Sequence, residues 1–338
     1  MSISTISTLQ KSLNSRQLLA NQDRDVQKAQ QELTTGISAD IYSERSFRAA
    51  QTLDLRNRMS RTESYSVSND LLIGKLDVTS GLMASIRQGV QEFQALSVAF
   101  ANGTQGREVL QPQANALIKT ITSQLNTVYS GEFLFSGANT GESSVNLDSE
   151  GFPDMGLDEA GNLQKTRATL QSIDAYFGLG GADLATSGYV QGGVYTGSDT
   201  RQTARIDEST LFSYGITAND ESIRQIFKGL TMFAQVDIAA ISDPNSYALW
   251  LDEANTALSA GIDAMKIRET ELGNQQKMVA ETSQRQKNLT ELYNNRVVDI
   301  EGVDAYEAAT RFEALSAQLE TSLSVTARLK NLSLLNYL

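Results

Sequence analysis

An acidic string in the middle of the chain carries residue types that could bind a calcium ion. Its oxygen-bearing side chains are those of Asn146, Asp148, Glu150 and Asp154. Oxygen ligands at such spacing open an EF-hand loop, and Ca²⁺ prefers oxygen ligands. The twelfth position, however, is Leu157 instead of the bidentate glutamate, and no helical patterns flank the string. We therefore interpret the string as a solvated turn, and no metal site is predicted.

Other patterns have the residue types of catalysis or nucleotide binding. Adjacent carboxylates at Asp220-Glu221 and Asp252-Glu253 could supply the pair that a glycosidase uses. Such a pair needs a pocketed domain, whereas we expect these side chains to lie on solvated surface. The stretch GLGGAD at 178–183 lacks the last glycine of the dinucleotide-binding pattern, and the chain has no Walker glycine–lysine pattern. The patterns favour no enzyme and no cofactor; a carboxylate-based hydrolase in the acidic centre stays an alternative.

The absence of two residue types excludes further chemistry. The chain has 338 residues without a Cys or a His, so disulfides, zinc ligation by thiolate or imidazole, and His-dependent triads are impossible. A net charge of −12 without a basic stripe excludes the usual nucleic-acid partner, whose binding depends on neutralised phosphates. No window approaches a membrane span, and the amino terminus has no continuous apolar signal segment. The sequence predicts no nucleic-acid or membrane partner, and either a cytoplasmic location or export without a cleaved signal.

Charge and glycine are concentrated in the centre of the chain. Residues 140–260 hold 17 acidic and 6 basic groups, and 15 of the 24 glycines lie between Gly131 and Gly229. The flanking arms are nearly neutral and poor in glycine, which indicates a separate central domain. Short runs there that are apolar or rich in Thr are typical of antiparallel strands joined by turns. The predicted strands include 189–191, 193–196 and 211–214, and the predicted turns are 148–151 and 158–162.

The flanking arms carry the apolar periodicity of long helices. Between 72 and 100, seven of nine positions that step by four and three residues are apolar, which predicts a helix with one buried stripe. The stripe consists of Leu72, Leu76, Thr79, Met83, Ile86, Val90, Phe93, Ser97 and Phe100. After a break at 102–106, a second stripe begins at Leu110, and we expect the two helices to pack as an antiparallel hairpin. Further helices are predicted near Ser222, from Pro244 to Met265 with Trp250 on an apolar face, over 262–300, and from about 304 to 333.

The two ends of the chain have narrower apolar stripes than the rest. The stripes are Leu19, Val26, Ala29 and Leu33 near the start and Ala308, Phe312, Leu315, Leu319, Ser322, Thr326 and Leu329 near the end. The candidate interface residues at these ends are Leu19, Val26, Leu33, Phe312, Leu315, Leu319, Leu323, Leu329 and Leu332. Isolated helices are marginal in water, because a narrow stripe does not offset the entropy cost of ordering the chain. We therefore expect these residues to form an assembly interface with partners. The alternative is that both ends pack on their own domain.

Four stretches of the chain resemble the bacterial flagellin family. They are ELTTGI at 32–37, SGEFLFSGANT at 130–140, ELGNQ at 271–275 and LSLLNYL at 332–338. Each is short, but their order and their positions relative to both ends are similar to the family's, and the resemblance covers both arms. One departure is Ser43-Glu44-Arg45, where the family usually has a double-acid turn.

The residue patterns and the resemblance lead to the same expected architecture. The fold is predicted to be mainly α, with long helical hairpins, a terminal coiled coil and an inserted small antiparallel β domain. The expected domains are a terminal coiled coil from 1–45 and 303–338, a helical core from 46–139 and 230–302, and an exposed β-rich domain at 140–229.

The resemblance implies a structural protein that is exported unfolded by the flagellar type III apparatus. It implies a subunit that joins hook to filament, with other copies as lateral neighbours. A hook-associated junction protein and flagellin are the implied axial neighbours, and an export chaperone is a further implied partner. Two other functions stay open: a flagellin that forms the filament itself, and a secreted adhesin-type protein that binds a ligand through the central domain.

Overall fold

The protein is mainly helical with a small antiparallel β component. The computed structural model describes residues 3–39, 46–101, 107–147, 152, 163–238, 241 and 243–335. In this part of the chain the backbone forms eight α-helices and two sheets of two strands each. The predicted fold class is therefore confirmed. The chain divides into two compact units, one of Met1–Ser64 with Gln286–Leu338 and one of Tyr65–Arg285.

Four helices build the first unit. They are α1 (Ile3–Thr35), the beginning of α2 (Ser46–Ala101), the end of α7 (Pro244–Glu301) and α8 (Ala305–Leu335). Helix α1 ends before Gly36, and glycine is the residue type that most often follows the last turn of a helix. Helices α1 and α8 pack against each other. The predicted pairing of the two chain ends is thus present within one molecule.

The second unit contains the rest of α2 and α7 and all the elements between them. In chain order these elements are a 3-10 helix at Arg107–Val109, α3 (Leu110–Leu125), β1 (Val128–Tyr129), β2 (Glu132–Phe133), α4 (Leu163–Tyr176), a second 3-10 helix at Leu184–Thr186, α5 (Gly188–Gln191), β3 (Gln202–Arg205), β4 (Leu211–Tyr214) and α6 (Glu221–Ala234). Strands β1 and β2 form one hairpin. Strands β3 and β4 form the other, in a register that runs from Gln202 opposite Tyr214 to Arg205 opposite Leu211.

The long apolar stripe predicted for α2 forms the core of the second unit. Its first eight members are buried, and Phe100 is half-buried. The ring of Phe93 meets that of Phe233 edge to face at 5.1 Å. Trp250 is completely buried, and its indole donates to the carbonyl of Met232 at 3.0 Å. The stripe is core because α3, α6 and α7 cover it, as heptad spacing on a helix in a bundle predicts.

Polar contacts establish the direction of the neighbouring helices. Three side-chain pairs join α2 to α7: Asp77 with Gln276, Arg87 with Glu269 and Ser97 with Asn255. Since the numbers rise on one helix and fall on the other, the helices are antiparallel. Gln124 of α3 also donates to Ser85 of α2 at 2.9 Å. A side chain at Gly89 would lie close to Leu117, so α2 and α3 are antiparallel too, as predicted.

A buried lysine of α2 forms polar contacts with both β-hairpins. The ammonium group of Lys75 donates to Gln202 Oε1 at 2.9 Å and to the hydroxyl of Tyr214 at 3.3 Å, and it forms an ion pair with Glu132. Lys75 is 8% exposed. Its charge is tolerated there because all three donor positions have acceptors.

The centre of the chain contains more helix than predicted. The predicted strand at 211–214 is β4, but the prediction at 189–191 is wrong because these residues belong to α5. In 193–196 only Tyr195 makes a bridge, to Val145. The side chain of Ser187 caps α5 by accepting from the amide of Val190, which favours a helical turn. The turns predicted at 148–151 and 158–162 and the break predicted at 102–106 lie outside the described residues.

Candidate assembly surface

The α1–α8 pair contains the residues predicted to assemble with partners. Five of them are half-buried, namely Leu19, Val26, Phe312, Leu315 and Leu319. Leu33 is 38% exposed and Leu323 is 50% exposed. Leu329 and Leu332 belong to α8, but their side chains lie outside the described part. The pair therefore brings the two stripes together while leaving apolar surface in contact with water.

Sequence reasoning missed apolar residues on the other faces of the same helices. Three are about half-exposed: Leu13, Leu18 and Val325. Apolar residues that stay exposed on a helix pair are typical of a surface that a partner covers. The signal was the adjacent pair Leu18-Leu19, which points two apolar side chains in different directions around the helix. When two helices pack against each other, each helix can bury the side chains on only one of its faces.

Two alanines of the terminal helices are almost completely buried. Ala29 of α1 is 2% exposed, and Ala308 of α8 is 3% exposed. A methyl side chain allows a neighbouring backbone to come near, whereas the leucines farther along each helix keep part of their surface in water. Burial in the terminal pair thus concentrates near the inner ends of both helices.

The carboxylates that could have formed a catalytic pair are structural instead. Asp220 caps α6 by accepting from the amide of Ser222 at 3.0 Å, and its other oxygen accepts from Arg268 at 2.8 Å. Its side chain is only 10% exposed, so the expectation of a solvated carboxylate is wrong for Asp220. Glu253 pairs with the buried Lys228 at 2.6 Å. Both oxygens of Asp220 thus accept hydrogen bonds that hold α6 in place.

No metal centre forms among the described residues. They contain no group of three or more acidic side chains close enough to hold an ion. Of the acidic string interpreted as a solvated turn, Asn146 is exposed, while Asp148, Glu150 and Asp154 lie outside the described residues.

Buried tyrosines in the second unit act as neutral hydrogen-bond donors. Burial raises the pKa of Tyr189 and of Tyr195 far above the ordinary value, and it raises the pKa of Tyr176 to about 12. Tyr189 donates to the carbonyl of Ala218 at 2.9 Å, and Tyr195 donates to that of Ser198 at 2.7 Å. Tyr189 and Tyr195 thus join loops of the second unit, whereas the hydroxyl of Tyr176 has no hydrogen-bond partner among the described residues.

Among the described residues, no helix is both long enough and apolar enough to cross a membrane.

Comparison with known proteins identifies both ends of the chain. Residues 6–140 match the model of the bacterial flagellin N-terminal helical region, and residues 252–338 match that of the bacterial flagellin C-terminal helical region. The two matches together cover about two thirds of the chain. No curated protein matches the sequence.

Two of the solved structures that match this chain come from bacteria. One is described as a flagellar hook-associated protein from Vibrio parahaemolyticus, with a TM-score of 0.55, 15% identity, and coverage of 76% of this chain and 99% of that chain. The other is FlgL of Bacillus cereus, with a TM-score of 0.48, 12% identity, and coverage of 74% of this chain and 99% of that chain. At such identity, the first likeness concerns the fold alone.

Proposed function

The chain belongs to the bacterial flagellin family, and from this premise we propose that it is a structural subunit of the flagellum that joins hook to filament. The observation that carries the proposal is the α1–α8 pair, which is formed by the two regions that match the family and leaves apolar side chains exposed along its length. We propose that Leu19, Leu315 and Leu319 lie in its interface with other copies.

The physical argument concerns the exposed apolar surface. Burying apolar surface stabilises an assembly by about 25 cal/mol per Å². Two helices alone cannot cover the stripes and the additional leucines on other faces. Neighbouring copies arranged around a common axis would cover them, with contacts that repeat from one subunit to the next. The terminal pair is therefore the part of the molecule that gains most from assembly.

The junction role is the more specific part of the proposal. It is supported by two sequence stretches, 130–140 and 332–338, that resemble junction subunits. In this role the chain has copies of itself as lateral neighbours, with a hook-associated protein and flagellin as axial neighbours. It would be secreted through the flagellar export apparatus, helped by a chaperone, and would have no enzymatic activity. The acidic segment at 140–229 would face solvent.

The alternative within the family is a flagellin that forms the filament itself. Matches to the two flagellin regions favour both roles equally. The difference lies in the axial neighbours: a filament subunit follows another copy of itself, whereas a junction subunit contacts a different protein on each side.

A deletion strain of the source bacterium tests the proposal. A junction subunit is required for filament attachment but not for flagellin synthesis. We expect cells with hooks but without filaments, and flagellin in the culture medium. Re-expression of the wild-type chain should restore filaments, as seen by electron microscopy. Normal filaments in the deletion strain, or a medium without any flagellin, would contradict the junction role.

A further inference from the structure

Four side chains from α2 and from both β-hairpins meet in one cluster of the second unit. Lys75 of α2, Gln202 of β3 and Tyr214 of β4 are each 8% exposed. The ammonium group of Lys75 donates to Gln202 Oε1 at 2.9 Å and forms an ion pair with Glu132 of β2. Lys75 therefore contacts a side-chain amide and a carboxylate at once, and these three groups together can form a new amide bond.

The neighbours of Gln202 determine how its amide is oriented. Lysine can only donate, so the atom that faces Lys75 is the amide oxygen. The hydroxyl of Tyr214 donates to the same oxygen at 2.8 Å, whereas Gln202 Nε2 donates to the carbonyl of Phe133 at 3.3 Å. Two donors on one carbonyl oxygen make its carbon more electrophilic. The hydroxyl of Tyr214 is placed to stabilise the oxyanion that an attack on this carbon creates.

The nitrogen of Lys75 lies near the carbon that it would attack. The amide carbon of Gln202 is bonded to Oε1 at about 1.2 Å. The 2.9 Å contact with Oε1 therefore places Nζ within about 4 Å of this carbon. Reacting atoms are productively placed at about 3–3.5 Å, so a small rotation of the Gln202 side chain is sufficient.

Glu132 is placed to act as the base. The ammonium group must lose a proton before its nitrogen can attack, and the carboxylate of Glu132 contacts it directly. The side chain of Glu132 is 47% exposed. Together with Lys75 and Tyr214 it lines a cavity of about 240 Å³. This opening gives a small product such as ammonia a route to solvent.

We propose that Lys75 and Gln202 form an isopeptide bond once the second unit has folded. Glu132 takes a proton from the ammonium group, and the free amine attacks the amide carbon of Gln202. The bond from this carbon to Nε2 then breaks. The departing nitrogen takes one proton from the lysine nitrogen and one from Glu132, so it leaves as ammonium and Glu132 is again a carboxylate. The reaction needs no oxidant and no further reactant.

The isopeptide bond joins α2 to β3 across 127 positions of the sequence. The chain has no cysteine, so an amide crosslink is open to it where a disulfide is impossible. Closing so long a loop restricts the unfolded chain and thereby stabilises the folded one. All four residues of the cluster belong to the second unit, so the inference does not depend on the proposed place in the flagellum.

Mass spectrometry of the full chain tests the proposal. Folded protein incubated at neutral pH should become lighter by the mass of one ammonia, whereas protein kept in urea should not. After tryptic digestion, the peptides that contain Lys75 and Gln202 should form one linked species without cleavage after Lys75. Lys228 is the internal control, because it is 4% exposed but pairs with the carboxylates of Asp174 and Glu253. It should stay unmodified.

Two variants separate a crosslink from a mere contact. Lys75→Arg keeps the positive charge but lacks the amine, so it should retain the full mass. Glu132→Gln keeps the amine and the amide but removes the base, and it should slow crosslinking by about a hundredfold or more. Glu132 is half-exposed, so this variant is expected to fold and keeps the test decisive if Lys75→Arg does not. Fluorescence of the buried Trp250 reports in each case that the second unit is folded.

Two results would overturn the proposal. One is a folded wild-type protein that keeps the full mass of its sequence after prolonged incubation and yields separate peptides for Lys75 and Gln202. The other is a loss of ammonia that maps to a different site in the chain or proceeds at the same rate in Glu132→Gln.

Discussion

The buried hydroxyl of Thr231 is the clearest destabilising group at the scale of single residues. Thr231 lies in α6, is fully buried, and its Oγ1 has no hydrogen-bond partner among the described residues. Burying a polar group without a partner costs free energy, and valine has the same shape without the hydroxyl. We expect Thr231→Val to raise the free energy of unfolding by about 1 kcal/mol, measured by urea titration.

Thr79 provides the matched control for this prediction. It is equally well buried in α2, but its hydroxyl donates to the carbonyl of Lys75 at 2.8 Å. Thr79→Val removes a hydrogen bond and should leave stability unchanged or lower it by up to about 1 kcal/mol. The explanation fails if the Thr231 variant is no more stable than the Thr79 variant.

Glu271 makes the stability of the second unit sensitive to acid. Partial burial would raise the pKa of Glu271, but hydrogen bonds and charge from Arg201 and Arg268 outweigh it and hold that pKa below the ordinary 4.5. A carboxylate with a lowered pKa stabilises the fold above the unfolded-state pKa, and this contribution disappears as the pH falls through the folded-state pKa. The side chain is 35% exposed, so solvent screening keeps the contribution below about 1 kcal/mol.

Because the charged carboxylate of Glu271 stabilises the fold, Glu271→Gln should lower the free energy of unfolding in a pH-dependent way. The variant should be less stable than the wild type at pH 7, and the difference should shrink at pH values below 4.5, where the wild-type carboxylate becomes protonated. Urea titrations at pH 7 and pH 3 measure it. Glu281→Gln on the same helix, whose carboxylate is mainly exposed, should show no such pH dependence. A Glu271 effect that is equal at both pH values would argue against an electrostatic cause.

Single-residue roles were only partly predictable from sequence. An aspartate before Glu221-Ser222 at the start of a helical pattern is a typical N-cap signal, and Asp220 does cap α6. Its second partner, Arg268, lies 48 positions away. Nothing local in the sequence relates these two residues, because the ion pair exists only when α6 packs on α7.

Helices were predicted better than strands for a physical reason. The stripe of α2 repeats over eight turns, so many residues indicate the same structure, and its burial is confirmed. The stretch 189–191 has three residues, too few to distinguish a helical turn from a strand. Its conformation is decided by the Ser187 cap and by the buried hydrogen bond of Tyr189. Short apolar runs in the centre therefore depend on tertiary contacts.

The β1–β2 hairpin has a turn that can be improved. Ser130 and Gly131 have φ values of +51° and +85°, as in a type I′ turn, for which Asn-Gly is the preferred pair. Ser130→Asn should stabilise the second unit by about 0.5 kcal/mol, because asparagine tolerates positive φ better than serine. Ser130→Val at the same exposed site should destabilise it by about 1 kcal/mol. Thermal unfolding followed by circular dichroism measures both, and the opposite order would contradict the turn assignment.

A charged substitution in the terminal helix α8 should prevent assembly. Leu319 is half-buried on α8, and Leu319→Asp would place a charge in the proposed contact at a cost of several kcal/mol. Under the proposed export of an unfolded chain, export should persist, whereas filaments should fail to attach and flagellin should appear in the medium. Glu320→Gln, one residue along on the exposed face, is the control and should leave motility normal. A Leu319→Asp strain with normal filaments would remove this part of α8 from the interface.

At the scale of the whole molecule, charge and family resemblance divide the chain at nearly the same places. The two family matches stop at residue 140 and resume at 252. The segment 140–260 carries a net charge of −11, from 6 basic and 17 acidic groups, out of −12 for the chain. Like charges at close quarters repel, so copies can pack through the nearly neutral helices more easily than through this segment. We therefore propose that the acidic segment stays at the outside of an assembly.

Polymerisation of the purified protein separates the two roles within the family. A filament subunit needs complementary surfaces at both axial ends, because a repeated heterologous contact gives an open helical polymer. A junction subunit needs only lateral contacts with its own copies, so growth ends at a ring or a short layer. We expect the protein to stay monomeric or to form small oligomers at high concentration in ammonium sulfate. Such salt strengthens apolar burial and screens the charge of −12, so it favours any contact that exists.

Light scattering measures the size of any oligomer that forms, and negative-stain electron microscopy shows whether it is a ring, a short layer or a filament. Leu319→Asp serves as the matched variant, since any oligomer built through α8 should be lost with it. Rings or short layers that disappear in the variant would agree with lateral assembly through the terminal pair. Long filaments of the wild-type protein alone would replace the junction role by that of a filament flagellin. That result would leave the α1–α8 pair unchanged, because both proposed roles use the same terminal helices and differ only in their axial neighbours.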